Sequence, residues 1–137
     1  TLLFFGYASC PEACPMALSR ASRAVRLLAE EGLVDVVRVV YVSVDPERDT
    51  PEATQAYLDV FGVSGVGVTG ALPDLERIAR AYGAYFEKVE SDSALGYRVD
   101  HSTTMYLLDR ELAIRRLIRS DDPPEAIAGW IERLATS

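Results

Sequence analysis

The chain has 137 residues, 49% of them hydrophobic, which fits one globular domain with an ample core. Its formal net charge of −7 argues against nucleic-acid binding, because phosphate contacts need a large basic surface. No apolar run approaches the roughly 20 residues that a membrane-spanning helix requires. We therefore expect a single domain over residues 1–137, and we interpret the arginines at positions 20, 23 and 26 as a solvated helix face.

The sequence begins directly inside a predicted strand. We therefore expect it to be a fragment, with a signal peptide or an N-terminal anchor in a segment before Thr1.

The first third of the chain predicts a βαβ unit. Residues 2–7 are continuously apolar, as is typical of a strand that is covered on both faces. Apolar residues then recur at helical spacing over residues 15–31, with Pro15 at the first helical position and Gly32 as the C-cap. Residues 36–44 are valine-rich and predict a second strand, which should lie parallel to the first.

The middle of the chain predicts a turn followed by helices. Asp45 and Pro46 open the turn, and Asp49 with Glu52 resembles a capping box for a helix over residues 50–61. A further helix is predicted from Pro73 to the residue before Gly83, and residues 85–86 suggest a short strand.

The last third predicts an antiparallel hairpin and a final helix. Residues 103–108 and 112–118 read as strands joined by a short turn, and Asp122 should cap the helix that follows. A βαβ unit joined to a ββα unit is the thioredoxin-like arrangement. The predicted class is therefore α/β, with a central mixed β-sheet flanked by α-helices.

Both cysteines, Cys10 and Cys14, fall on the predicted turn between the first strand and the first helix. Ligand sites in open α/β sheets gather outside the carboxyl ends of strands. The helix start also offers free N–H groups and the positive end of the helix dipole. Both favour the thiolate, the form that binds metal or attacks a disulfide.

Residue chemistry alone leaves two functions open for this pair. With His101, the single histidine, two thiolates would suit Cu(I) and, after rearrangement, Cu(II). Tight cysteine pairs are nevertheless more often redox sites, which would need only Cys10 and Cys14. A structural disulfide is the third alternative, although so short a loop gains little stability from closure.

Three other features of the sequence have plainer explanations. The sequence GVGVTG at residues 65–70 matches a dinucleotide-binding pattern, but it follows a helix, so we interpret it as a loop. The acidic residues from Asp45 to Asp49 resemble the start of a calcium loop, but the later ligand positions are wrong. Asp45 itself could support the cysteine site from behind its ligands, although turn formation is the commoner role of an Asp-Pro pair.

Three segments together resemble the Sco/SenC family. FGYASCPEACP at residues 5–15 is similar to the family's cysteine stretch, with Ala8 and Glu12 in place of the usual Thr and Asp. SVDPERDTPE at residues 43–52 and VDHS at residues 99–102 resemble two further family motifs. The three occur in the family's order over nearly the whole chain.

The resemblance implies a thioredoxin-like copper metallochaperone that assists assembly of the dinuclear copper centre of cytochrome c oxidase. It implies Cys10, Cys14 and His101 as ligands of Cu(I) or Cu(II), with the copper-centre subunit of the oxidase as partner. Other copper chaperones or thiol reductants are further partners. The implied location is the extracytoplasmic, periplasmic face of the cytoplasmic membrane, with anchoring through the missing N-terminal segment, and the family's first hairpin is also absent.

The resemblance leaves open whether the protein is an enzyme. The alternative function is a thiol-disulfide oxidoreductase that keeps the target's cysteines reduced through Cys10 and Cys14. His101 separates the two, because a reductase does not need it and a three-coordinate copper site does.

Overall fold

The computed structural model describes residues 1–7, 13–33, 36–62, 65–90, 97–101, 104–119 and 121–136. Its strands, in chain order, are β1 (Leu2–Gly6), β2 (Val39–Ser43), β3 (Gly65–Val68), β4 (Phe86–Glu90), β5 (Tyr97–His101), β6 (Met105–Leu108) and β7 (Ile114–Ile118). Its helices are α1 (Ala13–Glu30), α2 (Pro51–Asp59), α3 (Leu72–Ala81) and α4 (Pro124–Thr136). None of the described helices combines the length and the apolar character needed to cross a bilayer.

A five-stranded mixed sheet in the order β3-β2-β1-β6-β7 forms the centre of the fold. The first three of these strands are parallel, whereas β6 runs antiparallel to β1 and β7 antiparallel to β6. Strands β4 and β5 form a separate antiparallel pair. The predicted α/β class with a mixed sheet, the βαβ unit and the antiparallel hairpin are therefore confirmed.

All five residues of β1 are buried, as their continuous apolar run predicts. In the parallel pairing with β2, Leu2 lies opposite Val39 and Gly6 opposite Ser43. The aromatic rings of Phe4 and Tyr41 stack at 6.2 Å on the same face of these two strands. β1 is thus the central strand, and its two neighbours are fixed in register against it.

Helix α1 packs one apolar face on the core and ends as predicted. Leu18, Ala21 and Leu28 are buried. Gly32 has a φ of +79°, and the N–H of Leu33 donates to the carbonyl of Leu28, which is the bonding of a glycine-terminated helix. The helix begins at Ala13 rather than Pro15, so Cys14 belongs to its first turn.

The predicted capping box before α2 is wrong. The N-cap is Thr50, whose hydroxyl accepts the backbone N–H of Ala53 at 3.0 Å. Asp49 is instead buried, and its carboxylate accepts the hydroxyl of Ser43 at 2.6 Å. Asp49 pairs with Ser43 because a carboxylate inside the fold must be hydrogen-bonded. The cap position can instead be filled by Thr50, the next residue with a hydroxyl group.

Asp122 does not cap the last helix. Its carboxylate accepts the backbone N–H of Arg119 at 2.7 Å, before α4 begins at Pro124. The helix packs on the core through Ile127 and Ile131, which are both buried.

The prediction of a loop at residues 65–70 is wrong for the first four of them, which form β3 parallel to β2. Its glycines are required by close packing. A Cβ on Gly67 would lie 2.7 Å from the backbone of Thr54 in α2, and one on Gly65 would lie 2.1 Å from the carbonyl oxygen of Val39. The alternation of glycine and valine therefore reflects a strand pressed between a helix and its neighbour.

We predict that Gly67→Ala lowers the free energy of unfolding by about 2 kcal/mol or more, because the methyl group meets backbone that cannot move aside. Gly70→Ala is the matched control, since nothing lies within 4 Å of its Cβ position; its effect should stay within about 0.5 kcal/mol. Urea denaturation of both variants measures the difference. Equal stabilities would show that α2 does not press on β3 as described.

Candidate metal and thiol site

The fold brings the carboxyl ends of β1, β2 and β3 to one edge of the sheet. The backbone N–H of Val44, just after β2, donates to the carbonyl of Gly6 at the end of β1 at 2.8 Å. The hydroxyl of Thr69, just after β3, donates to the carbonyl of Ser43 at 3.0 Å. This is the edge at which open α/β sheets place ligand sites.

The structure describes the backbone of two of the three predicted site residues. Cys10 lies outside the described residues, and for Cys14 and His101 only the backbone is described. Cys14 is the second residue of α1, which follows β1. His101 ends β5, four residues before β6 begins at Met105.

The register of β6 limits how far His101 can lie from the middle of the sheet. β6 is antiparallel to β1, with Leu3 opposite Tyr106, so β6 starts beside the middle of β1. Four residues of chain reach at most about 14 Å, so the Cα atom of His101 lies within that distance of Met105. The structure places the backbone of His101 in β5, opposite Phe86.

Asp45 begins the turn that was predicted after β2. Its backbone carbonyl accepts the N–H groups of Arg48 at 3.2 Å and Asp49 at 2.9 Å. Its own N–H donates to the hydroxyl of Ser43 at 3.2 Å. The interpretation of Asp45 as a turn residue is therefore confirmed.

The carboxylate of Asp45 has a second function, because it is only 3% exposed and is paired with a cation. Arg48 Nε donates to Asp45 Oδ2 at 2.5 Å. The same guanidinium lies 5.7 Å from the ring centroid of Tyr7, the residue that leads from β1 towards the cysteine stretch. We call Tyr7, Ser43, Asp45, Arg48 and Asp49 the edge cluster.

Arg48 and Asp49 were not singled out as site residues from the sequence. Arg48 could have been found as the cation three residues after an aspartate, but the same spacing occurs on exposed helices such as α3, where Arg77 pairs with Asp74. Burial distinguishes the two pairs, and burial of a charged residue depends on the tertiary fold.

The described side chains do not by themselves form a metal site. Among described side chains, no three or more histidine, cysteine, aspartate or glutamate residues converge as a metal site, and Cys10, Cys14 and His101 lie outside that set. A cavity of about 690 Å³ opens at the opposite edge, lined in part by Thr1, Arg38 and Asp109, and it takes no part in this site.

Comparison with known proteins gives a consistent result. The sequence matches the SCO1/SenC family over residues 1–136. It is 39% identical over 112 residues to the mitochondrial SCO1 homolog 1 of Arabidopsis thaliana, covering 82% of this chain and 33% of that protein. It is 36% identical over 128 residues to the SenC protein of Rhodobacter capsulatus, covering 93% of this chain and 57% of that protein.

The chain thus spans between a third and three-fifths of the length of these curated relatives. Among solved structures, Arabidopsis thaliana ScoI with copper bound superposes with a TM-score of 0.90 at 31% identity. The superposition covers 99% of this chain and 84% of that one. The predicted thioredoxin-like fold is confirmed by this likeness.

We predict that Arg48→Met destabilises the protein by about 3 kcal/mol, because it leaves the buried carboxylate of Asp45 without its cation. Adding Asp45→Asn should recover part of that loss, since the uncompensated charge is then gone. Urea unfolding of the two single variants and the double variant gives the coupling energy.

Arg77→Met is the matched control, because Arg77 and Asp74 have the same sequence spacing but 76% and 58% exposed side chains. Its cost should be at most about 1 kcal/mol. If the two arginine variants lost the same free energy of unfolding, the ion pair of the edge cluster would stabilise the protein no more than an exposed ion pair does.

Proposed function

This chain belongs to the SCO1/SenC family, and from that premise we propose that it is a copper metallochaperone. Its function is to assist assembly of the dinuclear copper centre of cytochrome c oxidase. The observation that carries the proposal is the likeness, over 99% of the chain, to a plant ScoI solved with copper bound. We further propose that residues 1–137 form one thioredoxin-like copper-binding domain.

We propose Cys10, Cys14 and His101 as the copper ligands. Two soft thiolates and one imidazole suit Cu(I), and the nitrogen ligand lets the same set hold Cu(II). Two observations support this set: α1 places Cys14 in its first turn after β1, and β6 begins beside β1 shortly after His101. The first turn of α1 contains no acidic residue, so nothing in that turn opposes the effect of the helix dipole on a thiolate.

Asp45 is proposed to support this site without binding the metal. One of its carboxylate oxygens is engaged by Arg48, and that guanidinium also lies over the ring of Tyr7. The pair therefore connects the turn after β2 with the residue that precedes the cysteine stretch. In this role Asp45 and Arg48 fix the start of the ligand-bearing segment.

The proposed partner is the copper-centre subunit of cytochrome c oxidase, and other copper chaperones or thiol reductants would supply copper or electrons. The proposed location is the extracytoplasmic, periplasmic face of the membrane, with anchoring through an N-terminal segment. The related SenC protein is bacterial, and the related plant protein is mitochondrial.

A thiol-disulfide oxidoreductase is the second candidate function. Cys10 and Cys14 are the only cysteines, and three residues separate them, so they could cycle between dithiol and disulfide. In this role they would keep the cysteines of the copper-centre subunit reduced. The contribution of His101 to copper binding distinguishes the two functions.

We predict that reduced protein binds one copper per chain and that His101→Ala weakens Cu(II) binding more than Cu(I) binding. Two thiolates can satisfy Cu(I), whereas Cu(II) favours nitrogen in its ligand set. Competition titrations with chelators of each oxidation state measure the two affinities.

Cys10→Ser and Cys14→Ser serve as reference variants and should nearly abolish binding of both oxidation states. An unchanged Cu(II) affinity and an unchanged visible spectrum in His101→Ala would remove the histidine from the site and favour the oxidoreductase.

Copper and the disulfide should exclude each other. Oxidation by diamide joins the Cys10 and Cys14 sulfurs, and the two electrons and two protons they lose reduce diamide to its hydrazine. A disulfide sulfur is no longer a thiolate, so the oxidised protein should lose tight copper binding. Repeating the copper titration after complete loss of free thiols tests this, and equally tight binding would show that the sulfurs are not the ligands.

A further inference from the structure

Helix α1 has a charge distribution opposite to that of the whole chain. The chain has a net charge of −7, yet α1 contains Arg20, Arg23 and Arg26 and no acidic residue before Glu30. The helix begins beside the proposed copper site, because Cys14 is its second residue. A positive segment therefore extends from the site along one helix of an acidic protein.

The three arginines of α1 differ from other arginines of the described residues in their ion pairing. Arg48, Arg77 and Arg115 all form ion pairs with aspartates. In the part of the chain that the structure describes, no ion pair involves Arg20, Arg23 or Arg26.

The α1 arginines are also accessible to a partner. Arg23 and Arg26 are exposed. Arg20 is half-buried, and its Nε has no hydrogen-bond partner. The positive charges of Arg23 and Arg26 are thus directed to the surroundings of the protein.

These arginines share the exposed side of α1 with one apolar residue. Met16, Arg20 and Arg23 are spaced by four and three residues, which places them on one helix face, with Arg26 continuing at its border. Met16 is 63% exposed, whereas Ala17, Leu18 and Ala21 on the opposite side are in the core. We call Met16, Arg20, Arg23 and Arg26 the α1 stripe.

We propose that the α1 stripe docks an acidic surface of the protein that receives copper from this chain. The inference rests on the proposed function and names how the partner is recognised. Arginines attract an acidic surface and orient it, and the flexible thioether of Met16 supplies an apolar contact next to the site. A second copy of the chain docking stripe to stripe would bring arginines against arginines.

A protein surface fits the stripe better than a membrane does. Helices that lie in a bilayer interface present a broad apolar face beside their basic residues. Among the described side chains of α1, Met16 is the one large apolar residue that is strongly exposed, because Leu18 and Leu28 are buried and Leu27 is partly buried and packed against the core.

The stripe should act on the rate of encounter rather than on copper affinity. Charges at the rim of an interface mainly change the association rate and its dependence on salt, and none of the arginines is a proposed ligand. Copper transfer at concentrations where association limits the rate should therefore slow as ionic strength rises.

The test uses Cu(I)-loaded protein and the apo, reduced soluble domain of the oxidase's copper-centre subunit. Copper transfer is followed by rapid separation of the two proteins and metal analysis, from low salt to about 0.3 M. Arg23→Glu/Arg26→Glu reverses two exposed charges of the stripe. Arg77→Glu/Arg80→Glu is the matched control, because it makes the same change in net charge at exposed positions of α3.

We expect the α1 variant to transfer copper about tenfold more slowly at low salt, with unchanged Cu(I) affinity. The α3 variant should slow less than twofold, and the difference should vanish at high salt. Equal rates for the two variants, or a wild-type rate that does not depend on salt, would overturn the docking surface while leaving the proposed function intact.

Two further outcomes are distinguishable. If wild-type protein binds copper but transfers none to the domain, both the proposed target and the docking surface fail. Vesicles containing phosphatidylglycerol test the membrane alternative by sedimentation. If the α1 variant loses vesicle binding but transfers copper at the wild-type rate, the stripe contacts lipid and the proposal is wrong.

Discussion

The burial of β1 between β2 and β6 is the constraint on which the rest of the molecule depends. Its five residues are covered on both faces, so its side-chain burial and its backbone hydrogen bonds are satisfied together only in the centre of the sheet. The parallel strands β2 and β3 end at the same edge as β1, and the antiparallel neighbour β6 begins beside the middle of β1. Three chain segments that are distant in sequence are thereby brought to one edge.

That edge is stabilised by polar contacts rather than by apolar packing. The hydroxyl of Ser43 donates to the carboxylate of Asp49 and accepts the backbone N–H of Asp45. Arg48 neutralises the carboxylate of Asp45. Such buried charges cost free energy unless they are paired and hydrogen-bonded, so they are a poor way to gain stability alone. We propose that their role is to hold Tyr7, the residue that leads towards the cysteine stretch, through the contact of Arg48 with its ring.

Much of the fold could be predicted from the sequence because its central elements have strong apolar patterns. β1 and α1 were found from continuous and helical apolar spacing, and Gly32 was correctly read as the end of α1. β3 was missed because its glycines, which look like loop residues, are imposed by contact with Thr54 and Val39. β5 was missed because its alternation of polar and apolar residues serves a separate two-stranded sheet rather than the core.

Some residues of the candidate site could likewise be predicted from the sequence, and others could not. Cys10, Cys14 and His101 were found because their side chains carry chemistry that few residue types share. Arg48 and Asp49 were missed because their importance arises only when the turn after β2 is packed beside Tyr7. Local spacing could not reveal that packing, and it led to the mistaken assignment of Asp49 as a helix cap.

We propose that this edge holds copper through two thiolates and one imidazole. X-ray absorption at the copper edge, on reduced protein loaded with one equivalent of Cu(I), tests it most directly because it identifies the coordinating atoms. We expect two sulfurs and one nitrogen bound to the copper, with the nitrogen scattering lost in His101→Ala. A shell without sulfur, or one that His101→Ala leaves unchanged, would contradict it.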